Sequence, residues 1–424
     1  MGSGANIAII GGGVGGLAAA LTLHRAGFHP TVYESVADIR PLGVGINLLP
    51  HAVRVLSSLG LERDLEKIGI KTRELHYFNK FGQQIWREDR GLDAGYPWPQ
   101  FSILRGAVHF VLLEAVAVRL GADRIKTGHH LVSLAPAGDK VALAFAPCRD
   151  GEAEWHAESD IAIGADGIHS VVRRHFYPHE GPPIWNGAIL WRGITESEPF
   201  LTGRSMFMAG HARQKFVCYP VSQDHLDRGR SLTNWVAELK LDPAQGYRRE
   251  DWIRVARLDD FLPAFRSWRF DWIDIPGLIT GSLEVFEYPM VDRNPIERWT
   301  FDRVTLLGDA AHPMYPIGSN GASQAILDAE ALAAALVQED DPAAALRRYE
   351  DERLDATNAI VRANRQNGPE QVMQIVEERA PDGFTRLDDV IGRDELEEIA
   401  NRYKQIAGFD RDRLVAAARG RATT

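Results

Sequence analysis

Cysteine is scarce in this chain, which has only Cys148 and Cys218 among its 424 residues. The two lie far apart and lack CxxC spacing, which argues against a disulfide framework and a cysteine-based zinc site. The adjacent histidines at 129–130 have no HExxH-type spacing, so we predict no metal centre. This cysteine usage is typical of a reducing compartment, and we expect a cytoplasmic protein.

The chain also has few basic residues relative to acidic ones, and it lacks long apolar runs. Lys and Arg total 48 against 58 Asp and Glu, a net charge of −10 that argues against nucleic acid or an anionic membrane as partner. No stretch approaches the roughly 20 apolar residues that span a bilayer. One apolar run near the start has glycine at its centre and no preceding Lys or Arg, unlike a secretory signal. We therefore expect a small-molecule partner, no nucleic acid, no membrane, and a monomer or homodimer.

Glycine is concentrated in that early run, "NIAIIGGGVGGLAAALTLHRAGFHPTVYE". "IAII" predicts a buried strand, the Ala- and Leu-rich stretch predicts a helix, and "TVYE" predicts a second strand that ends on Glu34. Between the first strand and the helix, Gly11 permits a tight turn, Gly13 admits a pyrophosphate and Gly16 allows close helix packing. Glu34 is placed to bind a ribose diol and to repel a 2′-phosphate. The run predicts a dinucleotide site that is not for NADP, and it leaves FAD and NAD open.

Two later turns carry an acid after a predicted strand. "GADGIHSVVRR" places Asp166 and Gly167 at such a turn, and "LLGDAAHPMYPIGSNGASQAILDAEAL" places Asp309 at another, followed by a glycine-rich loop. With the first motif, in this order, they resemble the flavoprotein aromatic hydroxylases, the FAD-dependent monooxygenases with the p-hydroxybenzoate hydroxylase fold. The resemblance covers about residues 5–365. "WRGI" and "YPMVDRNPIERW" are most similar to the phenazine-carboxylate and salicylate hydroxylase branch.

The resemblance implies FAD as the cofactor and a position for each of its parts. The first motif would hold the ADP half, Arg105 would contact FAD, and Asp309 would hold the ribityl side. Asp166 and Gly167 would serve both FAD and NAD(P)H. The loop from Gly318 to Ala322, which opens a long helix, would point backbone N–H groups at the reduced, anionic flavin. The predicted cofactor-binding residues are Gly11, Gly13, Val14, Gly15, Gly16, Glu34, Ser35, Gly45, Arg105, Val132, Asp166, Gly167, Asp309, Pro316, Gly318, Asn320, Gly321 and Ala322.

The sequence predicts an α/β protein with a Rossmann-like FAD-binding domain, a substrate domain with a mixed or antiparallel sheet, and a C-terminal helical extension. Between 185 and 288 aromatic residues are dense and short β-like runs alternate with polar turns. We expect the FAD-binding domain at 1–75, 97–180 and 281–367, and the substrate domain at 76–96 and 181–280. The helical segment is expected at 368–424. "GVGINLL" is expected to be a loop, and "EDWIRVARLDDF" and "PAFRSWRFDWI" to be helices.

The resemblance implies a reaction in which NADH or NADPH reduces FAD and the reduced flavin activates O2 as a C4a-hydroperoxide. The oxygen is then inserted into an aromatic or N-heteroaromatic ring, with or without decarboxylation. A FAD-dependent oxidoreductase or epoxidase of the same fold, acting on a non-aromatic substrate, remains the alternative. Ser170, Asp309 and His312 do not indicate a hydrolase, because the chain has no GxSxG elbow around them.

Four residues are candidates for the substrate side. Arg192 in "LWRGI" could receive a carboxylate or phenolate, with a surface ion pair as the alternative. His211 could act as a base, with a loop histidine as the alternative. Tyr219 and Tyr315 are candidates for the wall of an apolar, flat pocket that excludes water. Other aromatic residues could join that wall or pack in a core instead: Trp191, Phe207, Phe216, Trp235 and Tyr288.

Overall fold

The computed structural model describes residues 4–40, 43–147, 154–242 and 254–421. Cys148 and the start of "EDWIRVARLDDF" lie outside the described residues. The strands are β1 Ile7–Ile10, β2 Thr31–Tyr33, β3 Gly45–Leu48, β4 Ile70–Thr72, β5 Glu74–Phe78, β6 Gln84–Asp89, β7 Gln100–Leu104, β8 Ile125–Lys126, β9 His129–Ala137, β10 Lys140–Pro147, β11 Trp155–Ser159, β12 Ile161–Gly164, β13 Ile184–Ser197, β14 Ser205–His211, β15 Gln214–Pro220, β16 Ser231–Lys240, β17 Arg269–Phe270, β18 Ile273–Asp274, β19 Val285–Asp292 and β20 Val304–Leu306.

The helices connect these strands and cover both large sheets. None of the described helices is long and apolar enough to cross a membrane. The helices are α1 Val14–Arg25, α2 Pro50–Ser58, α3 Glu62–Ile68, α4 Arg105–Leu120, α5 Val171–Phe176, α6 Gln223–Asp227, α7 Leu262–Phe265, α8 Ile275–Thr280, α9 Gly321–Gln338, α10 Pro342–Arg365, α11 Gln371–Arg379, α12 Arg393–Ile406 and α13 Arg411–Arg421.

The first large sheet has five parallel strands in the order β20-β12-β1-β2-β8. Its central strands are continuous apolar runs that are buried on both faces, as parallel sheets require. Helices α1 and α9 pack against each other in the same core. The parallel pairing brings the carboxyl ends of β20, β12 and β1 to one edge of the sheet.

The second large sheet has seven strands in the order β19-β13-β16-β15-β14-β5-β6. All neighbours are antiparallel except β14 and β5, which are parallel. One face packs on an aromatic core that includes Phe261 and Phe265. The other face carries Tyr219 and Met208 and is covered by the C-terminal helices α11 and α12. The predicted fold class is confirmed.

Two local predictions were wrong. "GVGINLL" is not a loop, because Gly45–Leu48 pairs antiparallel with Gln100–Leu104 and thereby satisfies its backbone groups. Over "PAFRSWRFDWI" and the described part of "EDWIRVARLDDF" the structure has short elements: the 3-10 helix Leu258–Asp260, the helix Leu262–Phe265, and two-residue strands at Arg269–Phe270 and Ile273–Asp274. In these segments the large aromatic side chains pack on the sheet, and this tertiary packing overrides the helical pattern.

The sheet pairing also bears on the domain limits. Val285–Asp292 belongs to the second sheet, although it falls within the expected FAD-binding segment 281–367. Glu74 begins β5 of the same sheet, just inside the expected segment 1–75. The domain limits themselves stay a prediction.

Candidate functional site

Three turns meet at one edge of the parallel sheet. Ile10 pairs in register with Gly164, and Gly164 pairs with Leu306, so these three strands end side by side. The glycine turn after β1, the Asp-Gly turn after β12 and the Gly-Asp turn after β20 therefore start from adjacent positions. Motifs that lie hundreds of residues apart in the chain are brought together by strand register alone.

The first turn needs its glycines for steric reasons. Gly11 has φ +110°, and a Cβ there would lie 2.3 Å from the carbonyl oxygen of Ala165. A Cβ on Gly16 would lie 2.0 Å from the carbonyl oxygen of Gly11. Gly13 differs, because no atom of the described residues beyond the adjoining backbone lies within 4 Å of the position of its Cβ. Gly11 and Gly16 thus shape the turn, and Gly13 leaves open space at the start of α1.

The acid at the end of β2 lies beside this turn, as predicted. Glu34 accepts hydrogen bonds from the backbone N–H of Gly12 and of Val36, each at 2.8 Å. A residue that the sequence reading missed lies on the other side: Nε2 of His109 is 2.5 Å from the carbonyl oxygen of Gly12. His109 follows Arg105 by one turn of α4, and that i, i+4 spacing was the available signal.

A cleft of about 300 Å³ opens along these turns and joins the two large sheets. Among the described residues, eight that line the cleft are outside the predicted cofactor-binding and substrate-side sets, and two of them lie on β3, within the stretch predicted to be a loop. Those eight are Ile46, Asn47, Ala165, Leu307, Gly308, Met314, Ser319 and Ala325. The predicted residues that line the cleft are Gly13, Val14, Gly15, Gly45, Arg105, Gly167, Arg192, Tyr219, Asp309, Pro316, Asn320, Gly321 and Ala322.

The cleft contains charges of both signs, close enough to influence one another. Burial lowers the pKa of Arg105, nearby Asp309 raises it and Arg192 lowers it further. Burial raises the pKa of Asp309, and His312 and Arg105 partly oppose this effect. An arginine keeps its charge in proteins, so the middle of the cleft offers a cation and an acid to a polar ligand.

A polar cluster at the sheet end of the cleft surrounds Gly45. Nη2 of Arg192 donates a hydrogen bond to the carbonyl oxygen of Gly45 at 3.0 Å. The backbone N–H of Gly45 donates to Oδ1 of Asn234 at 2.6 Å. The hydroxyl of Tyr219 hydrogen-bonds Arg192. Within the described residues, Nε of Arg192 and Nδ2 of Asn234 have no hydrogen-bond partner. Arg192 also lines the cleft, so the cluster presents a guanidinium to it, while the buried Asn234 holds the backbone of Gly45.

The structure does not bring Tyr315 and His211 into the cleft. Tyr315 is buried, and its hydroxyl hydrogen-bonds Asp292, which also binds Arg365 through both carboxylate oxygens. His211 ends β14, where its Nε2 lies 3.9 Å from a carboxylate oxygen of Glu377. Burial lowers the pKa of His211, and Glu377 opposes the shift. Both side chains have protein partners that account for them.

The predicted aromatic wall is mostly a core. The side chains of Trp191, Phe207, Phe216 and Trp235 lie in the second sheet's aromatic cluster, on the face away from Tyr219. Period-two alternation places Tyr219 on the cleft face, because Cys218 and Phe216 on the same strand point to the other one. Tyr288 is buried in a separate cluster of apolar side chains.

The remaining predicted cofactor residues lie outside the lining of the cleft. Asp166 is half-buried and caps α5, with hydrogen bonds from the Ser170 hydroxyl at 2.5 Å and the Val171 N–H at 2.7 Å. Val132 is 41% exposed on β9. Gly318 precedes Asn320 in the loop before α9, and Ser35 directly follows Glu34 in the chain.

A buried ion cluster supports the Gly-Asp turn from behind. Asp328 on α9 accepts a hydrogen bond from the Gly308 N–H at 3.1 Å and lies 2.6 Å from Nε2 of His312. Arg353 donates to its other oxygen at 2.8 Å. Burial raises the pKa of Asp328, but His312 and Arg353 outweigh it and bring the pKa to about 2. The cluster holds Asp309 in place without touching the cleft.

Replacing Asp328 with asparagine should destabilise the fold by about 3–5 kcal/mol, because it leaves a buried partner charge uncompensated. The wild-type pKa lies below the ordinary value of 3.8, so this acid stabilises the protein above pH 4 by about 2 kcal/mol. This stabilisation by Asp328 is lost as the pH falls from 4 towards 2. Urea unfolding of wild type and Asp328→Asn across this pH range measures the loss. If the free energy of unfolding depends on pH equally in both proteins, the assignment is contradicted.

The shape and the polar groups of the cleft are compatible with bound FAD. Open space at Gly13 and Gly167 leaves room for a diphosphate at the N-terminus of α1, where free N–H groups attract anions. The first residues of α9, Gly321 and Ala322, line the far end and present a second helix N-terminus. The side chain of Arg192 lines the cleft as well. In the described ranges, no group of three or more His, Cys, Asp or Glu is arranged to hold a metal ion.

Comparison with known families and curated proteins agrees with this geometry. The family described as "FAD binding domain" matches residues 4–182 and 276–364. The phenazine 1,6-dicarboxylic acid hydroxylase of Lysobacter antibioticus is 45% identical over 363 residues, covering 85% of this chain and 89% of the relative. A 3-amino-4-hydroxybenzoate 2-monooxygenase of Streptomyces platensis is 32% identical, covering 90% of this chain and 94% of the relative.

Solved structures share the whole architecture. HpxO of Klebsiella pneumoniae, in complex with FAD and uric acid, matches with a TM-score of 0.72 at 24% identity. The match covers 98% of each chain. At this identity the likeness shows the fold, including the sheet-to-sheet arrangement that forms the cleft.

Proposed function

This chain belongs to the family of FAD-binding monooxygenases with the p-hydroxybenzoate hydroxylase fold, and we propose that it hydroxylates a carboxylated aromatic or N-heteroaromatic ring. NADH or NADPH is the electron donor and O2 the oxygen source. The cofactor-binding roles of the predicted residues are part of the proposal. When bound, FAD accepts electrons from NAD(P)H and activates O2 for transfer of one oxygen atom.

The observation that carries the substrate class is the polar cluster around Gly45. It places the cation of Arg192 in the lining of the cleft, beside Gly45 and Tyr219. A carboxylate on the substrate would accept from the guanidinium of Arg192, and charge-assisted hydrogen bonds of this kind are about twice as strong as neutral ones. Relatives whose names specify a phenazine dicarboxylic acid and an aminohydroxybenzoate support the same chemistry.

Each group in the cleft has a defined task under this proposal. Arg192 binds and orients the acid of the substrate, and Tyr219 holds the guanidinium in place. The helix starts at Val14 and Gly321 neutralise anionic parts of the cofactor. The strands β13, β15 and β16 close one side of the cleft and exclude water from the reacting ring.

NAD(P)H needs its own approach to the cofactor. A groove of about 710 Å³ begins at Ser170, next to the Asp-Gly turn, and is lined by Arg174 and Arg293. Arg293 already binds the carbonyl oxygen of Ile168 and the carboxylate of Glu180. The exposed Arg174 is therefore the group best placed to meet the diphosphate of NAD(P)H.

A substrate screen tests the proposed function. Aromatic monoacids, phenazine carboxylic acids and hydroxylated N-heterocyclic acids are each added to the FAD-loaded enzyme with NADH or NADPH. At least one acid should stimulate nucleotide oxidation, and its ester or amide should not. Stimulation by the uncharged analogues alone would contradict the role of Arg192 and the substrate class.

Replacing Asp309 with alanine should weaken FAD binding by about tenfold or more, because hydrogen bonds to a charged group contribute about 1.5–3 kcal/mol. Fluorescence titration of the apoprotein with FAD measures this change. Glu297→Ala, a substitution outside the cleft lining, serves as the control. If the FAD dissociation constants of Asp309→Ala and wild type are equal, the ribityl-side assignment of Asp309 is wrong.

A further inference from the structure

The loop before α9 is held by the C-terminal segment. This loop, residues 315–320, lies between the Gly-Asp turn and the start of α9, and several of its residues line the cleft. Helix α12 ends beside it, in a segment that begins after residue 364, where the family match stops. The end of α12 therefore contributes contacts to this loop that come from outside the matched FAD-binding domain.

The loop has an unusual backbone. Gly318 has φ +67°, and Ser319, a residue with a Cβ, has φ +59°. Two consecutive left-handed residues are uncommon, and a non-glycine residue in this region persists only where its surroundings fix it. Strained backbone of this kind needs a partner that holds it.

Tyr403 on α12 is that partner. Its hydroxyl accepts a hydrogen bond from Nδ2 of Asn320 at 2.8 Å and donates to Oδ1 of Asn364 at 2.8 Å. The carbonyl oxygen of Ile317 lies 3.2 Å away. Asn364 in turn donates to the carbonyl oxygen of Tyr315 at 3.1 Å. One hydroxyl therefore ties both ends of the loop to two other elements.

The fit around this hydroxyl is close. A Cβ on Gly318 would lie 2.1 Å from the hydroxyl oxygen of Tyr403, so only glycine fits at this point of contact. Tyr403 is 4% exposed, and Asn320 and Asn364 are at most 1% exposed. A buried network in which every member is satisfied fixes one arrangement, because any other leaves a polar group unpaired.

We propose that Tyr403 is a positioning residue that holds loop 315–320, and with it the first turn of α9, in the geometry required by the isoalloxazine end of FAD. The inference rests on the proposed function. The physical reason is that the N-terminus of α9 stabilises negative charge on the reduced flavin only while the loop is held in place. Tyr403 acts through Asn320 and the backbone and does not itself line the cleft.

The substitution Tyr403→Phe tests the proposal, with Tyr96→Phe as the matched control. Tyr96 is also a buried tyrosine whose hydroxyl binds the C-terminal segment, at the carbonyl oxygen of Phe409 at 2.8 Å, and it does not contact the loop. Each variant loses one buried tyrosine hydroxyl that hydrogen-bonds the C-terminal segment to the rest of the chain. Only Tyr403→Phe loses the connection to loop 315–320.

The first two readouts use the apoprotein. In Tyr403→Phe, amide hydrogen exchange of residues 316–323 should accelerate at least tenfold, and the Kd for FAD should rise about tenfold. In Tyr96→Phe both should stay within twofold of wild type. If Tyr403→Phe does not accumulate as folded protein, Asn364→Ala removes the acceptor of the hydroxyl and should accelerate exchange in the same residues.

The third readout is the reduction potential of the bound flavin. Tyr403→Phe should lower it by about 30 mV, which is the two-electron equivalent of a tenfold change in equilibrium constant. Unchanged exchange, affinity and potential in Tyr403→Phe, or equal changes in Tyr96→Phe, would overturn the proposal. A wild-type enzyme that oxygenates no aromatic acid would refute the proposed function, while exchange and affinity would still decide the role of Tyr403.

Discussion

Gly13→Ala should yield a folded protein that has lost most of its affinity for FAD. The backbone at Gly13 is extended, with φ −73° and ψ −178°, which alanine adopts without strain. Apart from the adjoining backbone, no atom of the described residues lies within 4 Å of the added Cβ, so the fold can accept it. The methyl group instead occupies the space beside the N-terminus of α1. Overpacking costs about 1–3 kcal/mol, so the Kd for FAD should rise about 10- to 100-fold.

Gly392→Ala is the control for this substitution. Gly392 also has nothing within 4 Å of its Cβ position, and it precedes α12 with a similar φ of −76°. FAD titration of both apoproteins, with thermal unfolding as a check on folding, gives the comparison. Equal FAD affinity in Gly13→Ala and Gly392→Ala would contradict a diphosphate site at this turn.

Arg192→Met should raise the KM for a carboxylated substrate about 10- to 150-fold, because hydrogen bonds to charged groups contribute about 1.5–3 kcal/mol. Methionine keeps much of the apolar stem and removes the charge and all donors. FAD content should stay near that of wild type, since the first turn and Asp309 are untouched. Steady-state kinetics on the best acid found in the screen measures the effect.

Arg192→Lys separates charge from geometry. Lysine keeps the positive charge but loses the planar fork that matches a carboxylate, so its KM should fall between those of wild type and Arg192→Met. The ester or amide of the substrate should react equally slowly with all three proteins. A KM that is unchanged in Arg192→Met would show that the acid of the substrate binds elsewhere.

The parts of the fold that follow local rules were predictable from the sequence. Gly11, Gly13, Gly16 and Glu34 specify a strand, turn, helix and strand, and the structure has these elements at the expected places. The helices that begin at Arg105 and Gly321 also follow from their periodicity. Residues 254–274 did not follow, because their aromatic side chains pack on the sheet as short irregular pieces.

The cofactor side of the site was more predictable than its substrate side. Turns that follow neighbouring parallel strands start from one edge of a sheet, and the family resemblance assigns Gly167 and Asp309 to the same cofactor, so both could be placed at one site without coordinates. Asn234 could not, because its role depends on the pairing of β15 with β16, which sets Asn234 opposite Tyr219. Tyr315 is not among the cleft-lining residues, and nothing in the local sequence shows that Asp292 accepts a hydrogen bond from its hydroxyl.

The most direct test of the central claim is product analysis under 18O2 with the FAD-loaded enzyme, NAD(P)H and the best substrate. Oxygen insertion predicts one 18O atom in the product for each nucleotide oxidised in the coupled reaction, and little hydrogen peroxide. Nucleotide oxidation that yields only peroxide, or a product whose new oxygen comes from water, would contradict the account.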